Sequence, residues 1–452
     1  KFSDGSVKCI EDEIPFEVPE GWAWCRLNSI VDVRDGTHDT PTYVDKGIPL
    51  ITSKNLVEGG IDYSNVKYIS EKDAISINER SGVNIGDILF AMIGTIGNPS
   101  MVTEDILISI KNVALFKFTF SKNLSNYFVM YFLDYAQEDM KNKPSGGLQP
   151  FVSLNFLRTY LVPVPPVEEQ QRIVSILADS INKIRNIDVL KNELTASVKK
   201  AKSKILDLAI RGKLVPQDPN DEPASVLLEH IRAEKEELIR QGKIKRDKKE
   251  SVIFKGDDNS YYRLTADNKS NIIDIPFDIS DNWVWCNLSM IGSTNIGLTY
   301  KPTDIVTNGT MVLRSSNIIN GKIDLTDLVR VNSTIRENQY IQENDILICA
   351  RNGSKALVGK CAIYENANEK ASFGAFMAVY RSRFFRYVYY FLNSEFFRNT
   401  FSNDDSKQIN QLTQDMIKNT TIPLPPFTEQ KRIVDAIETA FLQLDEIAND
   451  IS

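Results

Sequence analysis

The sequence predicts an α/β protein in which two similar α/β domains are separated by long, antiparallel coiled-coil-like helices. Two observations predict it. The first is an internal repeat. Ile14-Pro15-Phe16-Glu17-Val18-Pro19-Glu20-Gly21-Trp22-Ala23-Trp24-Cys25 returns as Ile275-Pro276-Phe277-Asp278-Ile279-Ser280-Asp281-Asn282-Trp283-Val284-Trp285-Cys286. Pro163-Val164-Pro165-Pro166-Val167-Glu168-Glu169-Gln170-Gln171-Arg172-Ile173-Val174 returns as Pro423-Leu424-Pro425-Pro426-Phe427-Thr428-Glu429-Gln430-Lys431-Arg432-Ile433-Val434. The second is a heptad seam that begins just after the first copy. Two frames with kept ends and different interiors suggest a protein that reads two different things at a fixed separation.

The expected layout is a first domain over 1–166, a spacer helix over 167–212, a helical and basic linker over 213–274, a second domain over 275–426, and a second spacer helix over 427–452. In the first domain, 48–52 and 87–92 are short apolar runs between turns and read as strands, as does 113–118. Residues 127–137 are dense in aromatic and apolar side chains and read as a partly buried helix. The second domain repeats the order, with strands at 310–314 and 345–350 and a helix at 387–397.

The seam runs Ile173, Leu177, Ser180, Ile184, Ile187, Lys191, Leu194, Val198, Ala201, Ile205, Leu208, in steps of four and three. That spacing marks a helix packed along another long helix. No Pro or Gly interrupts 168–211, and Gly212 stands where a helix-ending glycine is expected. At 1.5 Å per residue the rod is roughly 65 Å long. It needs a partner, and Ile433, Ile437, Ala440, Leu444, Ile447 and Ile451 supply the matching positions. This second helix is cut short at Ser452, and the chain begins at Lys1 without an initiator Met, which leaves open residues beyond both ends. Between the copies, Pro216–Pro223 is a turn-rich break and 224–241 a charged helix with Leu227, Leu228, Ile231 and Leu238 on its apolar side. The basic run 243–249 reads as a solvated linker or as a phosphate or partner contact. Residues 265–271 read as a loose polar connector.

Composition excludes several classes. With 42% hydrophobic and 25% charged residues the chain is an ordinary globular one. No run approaches the roughly 20 apolar residues of a membrane span, and the start has no apolar signal segment. Five widely spaced cysteines and two histidines argue against a disulfide scaffold and a zinc site, so no metal and a cytoplasmic location are expected. Net charge is -7. A free-standing nonspecific DNA binder would be basic, so a partner would have to supply many phosphate contacts. No phosphate-binding loop, dinucleotide fingerprint or nucleophile–His set occurs, and His38 has no counterpart in the second copy. No catalytic residue is assigned. An enzyme would have to rest on Asp87 and Asp345, each at the start of an apolar strand. A non-catalytic tandem receptor for a glycan or peptide is the other alternative.

Reading duplex DNA calls for Arg, Lys, Asn, Gln, Ser and Thr on loops. The first copy offers Arg34, Thr37, His38, Ser53, Lys54, Asn55, Thr95 and Gln149. The second offers Arg314, Ser315, Asn317, Arg351, Asn352, Lys355, Lys407, Gln408 and Asn410. Ordinary hydrophilic turns use the same residues. Lys54-Asn55 aligns with Ser316-Asn317, which equally fits a shared structural turn. Arg351 and Gln408 lie where the copies diverge and are the better candidates for discriminating sequence. The four tryptophans, paired at 22/24 and 283/285, read as core or packing residues rather than stacking platforms.

The blocks at 19–24, Gly86-Asp87-Ile88-Leu89, the doubled Pro-x-Pro-Pro-x-x-Glu-Gln-x-Arg-Ile-Val and the stretch from Ala209 to Ala224 together resemble the specificity subunit of type I restriction-modification enzymes. The resemblance covers nearly the whole chain. It implies two target recognition domains, each reading one half of a bipartite asymmetric site in double-stranded DNA. It implies spacer helices that set the interval and dock two methyltransferase subunits. It implies no cofactor on this chain; S-adenosylmethionine would come with the methyltransferase subunits, and ATP and Mg with restriction subunits. The second copy departs from the pattern at Ile279-Ser280-Asp281-Asn282 and at Asn344, which replaces Gly86.

Overall fold

A computed structural model describes residues 9, 11–119, 123–142, 151–246, 251–265, 269–365, 369–400 and 411–450. Two compact units emerge, Lys1–Asp188 and Val189–Ser452.

Both units are built on one buried strand. In unit 1 it is Ile88–Ala91, every residue buried. It pairs antiparallel with Val113–Lys117 and Gly97–Met101, and Val113–Lys117 continues to Asp32–Asp35. Alternate side chains leave a strand on opposite faces, and here they enter two separate cores. Ile88 and Phe90 pack with Phe128, Val129 and Leu133 of the helix Asn126–Asn142. Leu89 and Ala91 pack with Ile51 and Ile110 of a second sheet. Burial on both faces is why the strand reads as an unbroken apolar run rather than an alternating one. Unit 2 repeats this. Ile346 and Ile348 join Val388 and Phe391 of the helix Phe385–Asn393. Leu347 and Cys349 join Met311, Leu313 and Phe373. The helix expected over 387–397 is broken: Phe385–Asn393 stops and Glu395–Thr400 restarts, because the Ser394 hydroxyl donates to the Phe391 carbonyl and accepts from Phe397 N.

The strand start carries a duplicated ion pair. Lys117 Nζ lies 2.6 Å from Asp87 Oδ2, both side chains 6% exposed. Arg381 pairs with Asp345 at 2.6 Å. The residue before each aspartate has positive φ, 85° at Gly86 and 69° at Asn344. Asparagine is among the few non-glycine residues that accept this region, so the departure keeps the turn.

A two-stranded ribbon closes each unit, with Trp24 opposite Pro163 and Trp285 opposite Pro423. Trp22 Nε1 donates to Glu169 (3.1 Å), and Trp283 Nε1 to Glu429 (3.0 Å). In unit 1 these residues are half-buried. In unit 2 Trp283 and Glu429 are buried beneath 212–221: Gln217 donates to Glu429 and Arg432 pairs with Asp221. Burial pushes the Glu429 carboxyl up, against the hydrogen bonds from Trp283 and Gln217. The arginine hydrogen bonds hold Asp221 below its usual range.

Within 213–274, a helix and a small sheet on either side of the basic run belong to unit 2, while the described part of that run, 243–246, is exposed. The helix Ala224–Arg240 buries Ala224 and Leu228, and Leu228 joins the unit 2 core. Ser251–Lys255, Tyr261–Thr265 and Ser270–Ile273 form an antiparallel meander, so both ends of the connector expected over 265–271 belong to paired strands. Asn287 binds Ser251 and anchors this meander to unit 2. Residues 247–249 of the basic run lie outside the described residues.

The long helix spans Val167–Ile210, close to the expected limits at each end. Ile173 packs on the unit 1 core. Leu206, Ala209 and Ile210 are buried with Ile433, Val434 and Ile437, and Ile205 packs beside them. The closing helix Phe427–Asn449 runs antiparallel to it: Lys202 meets Asp445, while Gln217 meets Glu429. Leu194, Val198, Leu208 and Leu444 are half-buried. The middle of the seam is different. Leu177 is 37% exposed, Ile184 59%, Ile187 52% and Ile447 48%. These four are exposed among the described residues.

The five cysteines are free. Burial pushes the Cys286 and Cys361 thiols up to about 12, and Cys25 and Cys349 are raised for the same reason. Cys9 is exposed. A disulfide reagent at pH 8 should thus label one thiol promptly and the other four only on unfolding; rapid labelling of two or more would contradict this packing.

Candidate nucleic-acid interface

The turns that follow the sheet strands gather at one end of each unit. In unit 1 the link is a backbone strap. Gly36 N donates to Val113 O, Thr37 N to Ile110 O and Asn112 N to Thr37 O. Gly36 is required there, since a Cβ would lie 2.2 Å from the Ile110 carbonyl oxygen. His38 bridges Asp35 (2.9 Å) and Asn112 (2.8 Å), and Arg80 also binds Asp35. Ser53 Oγ donates to Asn112 O. Ile93 pairs with Phe151. These turns border an open groove of about 550 Å³ lined by Ser53, Lys54, Asn55, Thr95, Lys111 and Asn112. Tyr43 forms one wall, with Lys67 Nζ 4.3 Å from its ring centroid.

Unit 2 gathers the same turns with other side chains. Leu298 N donates to Phe373 O, and Gly297 would clash at 2.2 Å if it carried a Cβ. Asn352 Nδ2 donates to Ser315 Oγ (3.3 Å). Arg351 pairs with Gln411 where unit 1 has Ile93 and Phe151. The Arg351 guanidinium carbon sits 5.4 Å from the Phe376 ring centroid.

Thr37, His38, Ser53, Lys54, Asn55 and Thr95 thus meet in unit 1, and Ser315, Asn317, Arg351 and Asn352 in unit 2. Not every side chain is free. Asn55 accepts from Thr52 N and donates to Asp62 O; Asn317 accepts from Arg314 N and donates to Asp324 O. The aligned asparagines hold a shared turn, one of the two readings their alignment allowed. Arg34 is taken by Asp32 and the Arg80 carbonyl, and Arg314 by Asp327. Lys54 and Lys355 lie at the surface. Gln149, Lys407, Gln408 and Asn410 lie outside the described residues. Tyr43, Lys67, Lys111, Asn112, Phe151 and Phe376 were missed. The one available signal was Lys111-Asn112, two polar residues between apolar runs; Asn112 has φ 56°.

The carboxylates Asp87 and Asp345 do not line these ends. Each accepts a backbone N–H and faces its own cation, which leaves neither free as a base. Among the described residues no His, Cys, Asp or Glu cluster could hold a metal ion, and no helix is long and apolar enough to cross a membrane.

The family model described as the type I restriction modification DNA specificity domain matches residues 19–196 and 283–452. The chain belongs to this family. It is similar to the type I restriction enzyme EcoAI specificity subunit of Escherichia coli, 26% identical over 95% of this chain and 79% of that one. It is similar to the EcoEI specificity subunit of Escherichia coli, 24% identical over 98% of this chain and 81% of that one. The EcoKI specificity subunit of Escherichia coli K12 is 33% identical over 37% of this chain and 38% of its own. Two solved structures share the fold. The HsdS subunit from Thermoanaerobacter tengcongensis aligns with TM-score 0.54 at 19% identity, over 97% of this chain and 94% of that one. A chain from a structure on complex assembly and conformational transition of the type I R-M system aligns with TM-score 0.62 at 17% identity, with the same coverages. The protein is a type I DNA specificity subunit with two recognition domains; specificity subunits do not themselves catalyse, and methylation and cleavage belong to other subunits.

Proposed function

We propose that each unit reads one half of a bipartite, asymmetric site in double-stranded DNA, and that the long helices fix the interval between the halves. The observation that carries this is the repeated frame with unlike contents. Both units bring the same set of turns to one end, yet one end offers Lys54, Thr95 and Lys111 and the other Arg351, Asn352 and Gln411. Two methyltransferase subunits dock on the spacer helices and bring S-adenosylmethionine; restriction subunits add ATP and Mg. The partners also account for a net charge of -7 in a DNA-reading chain, since they supply phosphate contacts. The complex works in the cytoplasm, where its DNA is.

A glycan or peptide receptor would need an aromatic cleft in each unit. Unit 1 has one, with Phe16, Trp24, Phe132 and Tyr160. In unit 2 the matching Phe277 and Trp285 are covered by Phe396, and Arg211 lies 4.4 Å over Phe277. Methylome sequencing of a host with and without this gene should show one split motif appear and vanish. An unchanged methylome in an active system sinks the reading.

A further inference from the structure

We propose that Arg351, preset on Phe376, reads a guanine, so that the half-site of the second unit contains a guanine that the first unit's counterpart position does not demand. This rests on the DNA-reading function above and names the base that one of its residues recognises.

Three observations converge on this pair. The first is a fixed backbone. Ala350 N and Arg351 N both donate to the Phe376 carbonyl, at 2.9 and 3.0 Å, and Leu412 N donates to the Ala350 carbonyl at 2.7 Å. Arg351 is thereby held between two neighbouring segments rather than on a free loop tip. The second is the side chain's seat. The guanidinium carbon lies 5.4 Å from the centroid of the Phe376 ring, which is itself 61% exposed. A ring floor restrains the plane of the guanidinium without using any of its N–H donors. The third is the absence of a claim on its charge. Arg314 pairs with Asp327, Arg330 with Glu369 and Arg381 with Asp345. Arg351 makes no ion pair among the described residues.

A planar fork whose donors take no hydrogen bond or ion pair among the described residues matches the O6 and N7 acceptors on the major-groove edge of guanine. Restraint before binding lowers the ordering cost of the contact. A phosphate contact would need only the charge; a planar donor set held beside a ring is suited to the flat edge of a base. In unit 1 the position paired like Arg351 is Ile93, which offers no donor, so the demand falls on one half-site.

The test uses the whole chain with its own methyltransferase partners, expressed with Arg351→Met or Phe376→Ala, and methylome sequencing. For the unaltered chain a split motif is expected. Arg351→Met keeps the length of the side chain but removes every donor. It should relax one guanine position in one half by about ten-fold or more and leave the other half strict, where loss of a phosphate contact would lower methylation without relaxing any base. Phe376→Ala should lower methylation at all sites with the same base preference. Binding of the purified methyltransferase complex to a duplex carrying 7-deazaguanine at that position should weaken for the unaltered chain and not for Arg351→Met. A motif unchanged by Arg351→Met, or relaxation at a base other than guanine, overturns the guanine contact alone. Absence of any split motif with the unaltered chain overturns the functional reading as well.

Discussion

Lys117→Met should destabilise unit 1 by about 3–5 kcal/mol, because it leaves the Asp87 charge buried with no cation. Both side chains are 6% exposed, so water cannot take the lysine's place. Asp87 Oδ2 also accepts from Asn84 N. The double variant Asp87→Asn with Lys117→Met keeps that acceptor and removes the stranded charge, so it should recover most of the loss. Urea unfolding of the two variants decides the matter: equal losses would mean that packing, not charge, holds the strand ends. Arg381→Met should act in the same direction but less, since the Arg381 side chain is 33% exposed.

Gly36→Ala and Gly297→Ala should each spoil one half of DNA recognition while sparing the other. The added Cβ would sit 2.2 Å from the Ile110 carbonyl oxygen in one unit, and 2.2 Å from the Phe373 and Gly374 carbonyl oxygens in the other. Those atoms belong to the backbone strap and cannot turn aside as a side chain would. The cost belongs at the upper end of overpacking effects, about 3 kcal/mol. The strap also sets the separation of Thr37–His38 from Lys111–Asn112, so the shift reaches the reading end directly. A chain carrying Gly36→Ala should lose strictness in one half of its methylation motif. Relaxation of both halves would contradict independent readers.

Much of this frame was legible in the sequence because it rests on regular spacing. The long helix was visible from 168 to 211 since nothing in it breaks a helix and its apolar positions recur at coiled-coil intervals. The buried strands at 88 and 346 were visible because a strand covered on both faces must be apolar throughout. The meander over 251–273 was not legible: its strands are short, polar on one side, and gain their apolar contacts only from unit 2. Ile184 and Ile187 are exposed among the described residues, because a heptad pattern shows that a partner is wanted, not where one lies. At these loop-bearing ends, residue type pointed to turns that the fold gathers together but not to which side chains are engaged within the chain. Arg34 and Arg351 look alike in sequence; only the neighbouring Asp32 and the distant Phe376 separate them.

The cover over the second tryptophan pair bears on how such genes can be shuffled. The unit 2 ribbon is tied to residues that precede it in the chain: Ala224 N donates to Asn282 O, Asn287 binds Ser251, and Arg263 reaches Thr421. A crossover at the repeat boundary near 275 would import a foreign domain under a mismatched roof and strand Glu429 beside Trp283. The cassette for the second half-site therefore begins upstream, at the end of the long helix, whereas the first domain must carry the start of that helix with it, since Trp22 binds Glu169, Ser125 N donates to Gln170 and Ile173 packs on its core.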